Sequence, residues 1–224
     1  MDEYYSKLLN SNKLQMCYEI APKRVKQFLE AEIGFVISKC SHDDVVLDLG
    51  CGYGRVSIRL LDSVKRVTGI DISQKNIDLA NNIAGKNSKC TFLTMDAIDL
   101  KFENSSFDKV ICVQNGISAF HVDPLKLMSE SIRITKKGGT VLFSSYSEKF
   151  WEDRLQWFEI QSSIGLIGEI DYQQTKDGVI VCKDGFKAIT YSGEDFLKLA
   201  SNFNVAANIY EVDDSSIFCE MTVM

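Results

Sequence analysis

Three aspartates at the ends of apolar runs carry the first chemical signal. Asp48 lies near the end of Val45-Val46-Leu47-Asp48-Leu49, just before Gly50-Cys51-Gly52-Tyr53-Gly54. Asp71 follows Gly50 by 21 residues, at the end of a second run, and Asp96 ends a third. Glycines past a buried strand let a ligand approach the backbone where a Cβ would block it. A carboxylate about 20 residues on, at the tip of the next strand, can accept both hydroxyls of a ribose. The combination predicts a nucleoside-type ligand. A dinucleotide fingerprint, GxGxxG, would need its third glycine at position 55, which is Arg55. A pyrophosphate also needs unopposed backbone N–H groups at a helix N-terminus, and Asp48 would repel it. An acid there suits a ligand with an ammonium group and a positively charged sulfur.

The elements that position these residues can be read from periodicity. Val25, Phe28, Leu29, Glu32, Ile33 and Val36 recur at steps of three and four, with Pro22 near the start, which predicts a helix. Residues 45–49 form a short, nearly continuous apolar run bounded by glycine, as in a strand buried on both faces. Residues 55–61 and 73–84 predict helices; residues 66–71, 91–95 and 107–113 predict strands. Asp123 and Pro124 supply an N-cap and an N1 proline for a helix to about residue 134. Lys136-Lys137-Gly138-Gly139 is expected to end that helix, with a fifth strand over 140–144. Strands alternating with helices imply right-handed crossovers and a doubly wound α/β sheet. Residues 148–189 break the rhythm and predict a helix followed by a hairpin turning at Lys176-Asp177-Gly178. Ser192 and Asp195 frame a capping box for a last helix. Two closing strands, 205–212 and 217–223, are expected to pair antiparallel.

Residues 46–54, Val-Leu-Asp-Leu-Gly-Cys-Gly-Tyr-Gly, resemble the first motif of the class I S-adenosylmethionine-dependent methyltransferases. Gly69-Ile70-Asp71-Ile72-Ser73 resembles their second motif, and Met95-Asp96-Ala97 their third. Phe107-Asp108-Lys109-Val110-Ile111-Cys112 resembles the strand-four segment, and Ile134 to Gly139 the element before strand five. The resemblance implies a Rossmann-like, mostly parallel seven-stranded sheet whose last strand is antiparallel. It implies one methyltransferase domain: a helical cap (1–44), a cofactor-binding core (45–146), an inserted substrate lid (147–190), and a C-terminal helix and hairpin (191–224). The implied cofactor is S-adenosyl-L-methionine, converted to S-adenosyl-L-homocysteine. Asp48, Gly50, Cys51 and Gly52 would hold its methionine part, with Gln114 and Asn115 facing that end. Asp71 would take the ribose hydroxyls and Ile72 pack on the adenine. Asp96 would accept from the adenine amino group beside Ala97. His121 and Tyr146 are the candidate catalytic residues. Tyr5, Tyr18, Trp151, Trp157 and Tyr172 are the candidates for binding the acceptor.

The 224 residues carry a net charge of −6, which argues against a polyanionic acceptor. The Asn/Asp-Pro-Pro-aromatic signature of base and glutamine methylation is absent after strand four, where the chain reads Gln114-Asn115-Gly116. A small-molecule acceptor is therefore expected, with no nucleic acid and no membrane partner, in a monomer or homodimer. No secretory leader is legible, and the seven scattered cysteines form no CxxC pair, which predicts free thiols in the cytoplasm. With two histidines, His42 and His121, no metal site is expected. Two alternatives share this architecture: an NAD(P)-dependent oxidoreductase and a non-catalytic S-adenosylmethionine-binding module. The first would find its tyrosine–lysine pair only at Tyr172 and Lys176, outside the core.

Overall fold

A computed structural model describes Tyr4, Leu9 and residues 11–224. The helices are α1 (Asn12–Glu19), α2 (Lys23–Ser38), α3 (Arg55–Leu60), α4 (Gln74–Ala84), α5 (Gly116–Ala119), α6 (Pro124–Ile134), α7 (Trp151–Ser163) and α8 (Gly193–Ala200). The strands are β1 (Val45–Leu49), β2 (Arg66–Asp71), β3 (Cys90–Thr94), β4 (Phe107–Cys112), β5 (Thr135–Tyr146), β6 (Ile180–Val181), β7 (Lys187–Ala188), β8 (Val205–Val212) and β9 (Ser216–Val223). Seven of them form one sheet in the order β3-β2-β1-β4-β5-β9-β8, and β6 pairs with β7 separately. β1 to β5 are parallel, and β9 runs antiparallel to both β5 and β8. The sheet is thus the expected seven-stranded one, closed by an antiparallel last strand.

Burial explains the apolar runs. Val46 to Leu49 are all buried, because helices cover both faces of β1. On one face Ile33 and Val36 of α2 pack with Val46, Val67, Ile111 and Phe218. On the other, Leu127 and Met128 of α6 and Phe196 of α8 pack with Leu47, Val110 and Val141. A third cluster joins Cys17, Phe28, Trp157, Ile180 and Phe186, seating α7 and residues 180–186 on α1 and α2. Among the described residues, no helix is long and apolar enough to cross a membrane.

Two local expectations need correction. The helix α6 ends at Ile134 with no glycine cap: Thr135 is already extended, and β5 starts there rather than at residue 140. Gly138 at φ +75° accompanies a register shift against β4, which lets the Lys136 to Gly139 stretch remain in the strand. In the insertion, Lys176 and Val179 do close the expected turn, with Asp177 and Gly178 at positive φ. The β6 strand also pairs with β7, across a second turn at Gly185, while the expected partner arm meets it through the Ile170–Cys182 bridge and two flanking bonds, Asp171 N–H to Val181 O (2.9 Å) and Lys183 N–H to Glu169 O (2.8 Å). The Ser192–Asp195 capping box forms as expected.

Candidate active site

Sequential strands run outward from β1 on one side and from β4 on the other. The crevice beyond the carboxyl ends of β1 and β4 is therefore the switch point where a doubly wound sheet binds ligands. Gly50, Gly52 and Gly54 all sit at positive φ, +67°, +55° and +83°. A Cβ at Gly50 would run into the Phe120 ring, so glycine is required there for shape as well as for backbone conformation. Gly50→Ala is expected to cost about 1–2 kcal/mol of stability, combining left-handed strain with that clash; chemical denaturation reads it, and a midpoint unchanged from wild type would show the loop relaxes freely.

The Asp71 carboxylate is braced from three sides. Oδ2 accepts from Gly52 N–H (3.0 Å), and Oδ1 accepts from Ser73 N–H (2.8 Å) and from Asn76 Nδ2 (3.0 Å). Burial raises its pKa above the ordinary carboxylate value, opposed by these same hydrogen bonds. The Ile72 side chain next to it is 46% exposed on the cleft wall, an apolar surface open to a planar ligand. Asp96 and Ala97 line the same wall, and Asp96 accepts from Ile98 N–H (3.1 Å), so one carboxylate oxygen stays with its own turn.

Asp48 is fully enclosed beneath the glycine loop and accepts from Ser57 Oγ of α3 at 2.6 Å. Burial pushes its pKa up to about 7, reinforced by the Asp71 charge and opposed by Ser57 and Arg55. Arg55 lines the cleft with Asp48, Cys51 and Gln114, and its guanidinium lies 4.9 Å from the Tyr18 ring centroid. Its Nε and Nη2 are buried with no hydrogen-bond partner among the described residues. Gln114, at φ +55°, accepts from the Tyr18 hydroxyl (2.9 Å), while its Nε2 is likewise buried with no partner among the described residues. Below it runs a buried chain: Gln114 N–H donates to Ser144 Oγ (2.9 Å), and Ser144 donates to Glu32 Oε1 (2.7 Å).

The expected site residues divide clearly. Gly50, Gly52, Asp71, Ile72, Asp96, Ala97, Gln114, Tyr18, Tyr146 and Trp157 line one continuous cleft, joined at the loop by Asp48 and Cys51. Asn115 does not face it. Its Nδ2 donates to Ile189 O (2.9 Å) and its Oδ1 accepts from Ser145 (2.8 Å), so it ties the segment just past β7 to β5. His121 sits at φ +50° between two cleft residues, Phe120 and Val122, but is not itself part of the wall. Tyr172 is 65% exposed and donates to Glu159, and Trp151 packs into the cluster around Phe28 and Phe150 instead of the cleft. Tyr5 lies outside the described residues. Reading along the chain missed Arg55, Asn76, Phe28 and Phe186. Arg55 was legible as the first residue after the glycines, and Asn76 as the first-turn residue after the Ser73 cap. Phe28 was legible only as part of the buried helix stripe, and Phe186 carried no local signal.

Residues 46–139 match the family described as "Methyltransferase domain". The chain is 29% identical over 148 residues to the 2-methyl-6-phytyl-1,4-hydroquinone methyltransferase of Synechocystis sp., covering 58% of this chain and 46% of that protein. It is 30% identical over 142 residues to the ubiquinone biosynthesis O-methyltransferase of Coxiella burnetii, covering 62% and 56%. The chain thus spans about half the length of these curated relatives. The solved structure of the PH0226 protein from Pyrococcus horikoshii OT3 superposes with a TM-score of 0.69 at 22% identity over the whole of both chains. Residues 46–139 thus match a methyltransferase domain, and they hold β1 to β4, the glycine loop at the switch point of the sheet and the start of β5.

Proposed function

We propose that the chain transfers a methyl group from S-adenosylmethionine to a small-molecule acceptor. The observation that carries this reading is the polarity of one continuous groove. Asp48, Arg55, Asp71 and Asp96 stand along its cofactor end, and aromatic side chains from α1, α2 and α7 wall the other. The residues present fit the cofactor. Arg55 and Gln114 offer buried donors with no partner among the described residues beside Asp48, which suits a group bearing both a carboxylate and an ammonium. Asp71 retains lone pairs for ribose hydroxyls, and Ile72 offers an apolar face for the base. Bound S-adenosylmethionine supplies an electrophilic methyl on a cationic sulfur, and its passage to an acceptor lone pair leaves the uncharged thioether S-adenosylhomocysteine.

The chain's own part is alignment and exclusion of water. Tyr18, held by Gln114 and tilted against Trp157, closes the groove above the junction of its two ends. The Tyr146 hydroxyl, pushed up to about 12 by burial, stays protonated and acts as a hydrogen-bond donor rather than a base. The names of the two curated relatives support a small-molecule acceptor. The seven free thiols support a reducing compartment such as the cytoplasm.

Calorimetric titration with S-adenosylhomocysteine tests the reading; absence of binding at millimolar ligand overturns it. Asp71→Ala is expected to weaken that binding by about 2 kcal/mol, near 30-fold, through loss of a charge-assisted contact to two hydroxyls. An unaltered affinity would remove Asp71 from the ribose site.

A further inference from the structure

The two ends of the groove differ in what they can solvate. Its charged lining residues are Asp48 and Asp71 on β1 and β2, Asp96 just past β3, and Arg55 at the start of α3. The far end is walled by Tyr18, Phe28, Tyr146, Trp157, Phe158 and Phe186, and among the described residues no charged side chain lines it. The rings pack against one another. Trp157 meets Phe158 edge-on at 5.7 Å, and Phe158 meets Phe186 at 5.6 Å. Two of the polar atoms are already used: the Tyr18 hydroxyl donates to Gln114 Oε1, and Trp157 Nε1 donates to Cys17 O (2.8 Å).

The Tyr146 hydroxyl is the exception. It has no hydrogen-bond partner among the described residues, and its residue lines the cleft. Its ring is fixed in place by Phe28 (5.4 Å), by Phe150 stacked at 6.3 Å, and by the Arg154 guanidinium 4.2 Å from its centroid. A cation over the face of a phenol makes its hydroxyl a better donor. Arg154 itself is not part of the wall: it donates to Gly178 O, Thr190 Oγ1 and Ala188 O behind the ring.

We propose that the acceptor is an uncharged, flat, largely apolar molecule whose oxygen accepts a hydrogen bond from Tyr146, the class of neutral aromatic alcohols. The inference rests on the reading of this groove as a methyltransferase site. A flat ring gains edge and face contacts with Trp157, Phe158 and Phe186. An anion or ammonium driven into the same wall loses its hydration with no charged side chain to replace it. One aligned donor orients the oxygen without selecting for charge.

Titration of the protein saturated with S-adenosylhomocysteine tests this with three probes: a naphthol, a methylnaphthalene and a hydroxynaphthoate. The naphthol is expected to bind saturably, and the hydroxynaphthoate about 50-fold more weakly or worse, because its carboxylate is buried unpaired. Tyr146→Phe is expected to weaken the naphthol about 5- to 10-fold and to leave the methylnaphthalene unchanged, since only the hydrogen bond is lost. Phe158→Lys is expected to reverse the ranking of naphthol and hydroxynaphthoate. Equal binding of naphthol and hydroxynaphthoate overturns the proposal, as does no naphthol binding to the saturated protein. An equal loss for naphthol and methylnaphthalene in Tyr146→Phe overturns the orienting hydrogen bond. If S-adenosylhomocysteine itself fails to bind, it is the methyltransferase reading that falls. Retained S-adenosylhomocysteine affinity in each variant shows that it is folded.

Discussion

Arg154→Ala is expected to destabilise the folded chain by about 3–5 kcal/mol, the range for deleting one partner from a buried charged network. Arg154 is 1% exposed, on α7, yet its hydrogen bonds run to a different part of the chain. Nη1 donates to Gly178 O (3.0 Å) and Thr190 Oγ1 (2.6 Å), and Nη2 to Ala188 O (3.2 Å). The guanidinium also lies against the rings of Tyr146 and Phe158. Alanine leaves the Ala188 carbonyl without this donor and opens a cavity where the largest fully buried side chain among the described residues stood. For a chain of this length the loss corresponds to a fall of roughly 10 °C in Tm. Arg154→Lys keeps the charge but not the planar fork, so it is expected to recover less than half of the loss. Because the residue ties α7 to residues 178–190, the damage should fall on the acceptor end of the groove. Affinity for S-adenosylhomocysteine in the variant should stay within about threefold of wild type at a temperature where it is folded. A destabilisation below about 1 kcal/mol by chemical denaturation would show that the inserted segment holds itself in place by apolar contacts alone.

That arginine marks where reading along the chain stops. The parallel core was legible because its signals are local: an apolar run, a glycine loop and a spaced acid recur within residues 45–112. The helix stripe of α2 was legible in the same way, and it correctly included Glu32, which is 1% exposed. Periodicity showed that position 32 is buried. It could not say that a carboxyl there would meet Ser144, 112 residues away. The insertion was harder for a physical reason. The α7 segment spreads charged and aromatic residues around all its faces, so no stripe distinguishes Arg154, which is buried, from Asp153, which is not. Its strands β6 and β7 are two residues each, too short to carry an alternation. Asn115 failed for another reason. Its place after β4 matched the family pattern, but its left-handed backbone turns its amide toward Ile189 and Ser145.

The ligand-free chain is expected to lose stability as pH rises from about 4.5 to 7, opposite to the usual behaviour of carboxylates paired in the native state. Burial raises Glu32 from an ordinary 4.5 to about 7, opposed by Ser144 and Arg55, and raises Asp48 from 3.8 to about 7. Between the unfolded and folded values the native state holds more protons than the unfolded one, so the slope of stability against pH is negative. Each group contributes a loss on the order of 3 kcal/mol, fully developed once the pH passes its folded value. The carboxylates held low by partners, such as Glu130 beside Arg133 and Asp108 beside Lys136, act with the opposite sign. Their gain is complete once the pH exceeds the ordinary carboxylate range, which leaves the window up to 7 to Glu32, Asp48 and, more weakly, Asp71. Chemical denaturation at pH 5 and pH 8 measures the difference. Glu32→Gln should remove its share, and a slope that is unchanged in that variant would clear Glu32 of the effect. Asp48 is separable from Glu32 by ligand. The ammonium of S-adenosylhomocysteine favours the ionised form of the acid beside it, so binding near pH 7 should release a fraction of a proton. Binding heats measured in buffers of different ionisation enthalpy would show that release. It should vanish in Asp48→Asn and persist in Glu32→Gln, because Glu32 sits one hydrogen-bonded layer below Gln114 and does not line the groove. Release that disappears in both variants would instead mean that the two carboxyls titrate as one coupled unit across the Arg55 guanidinium.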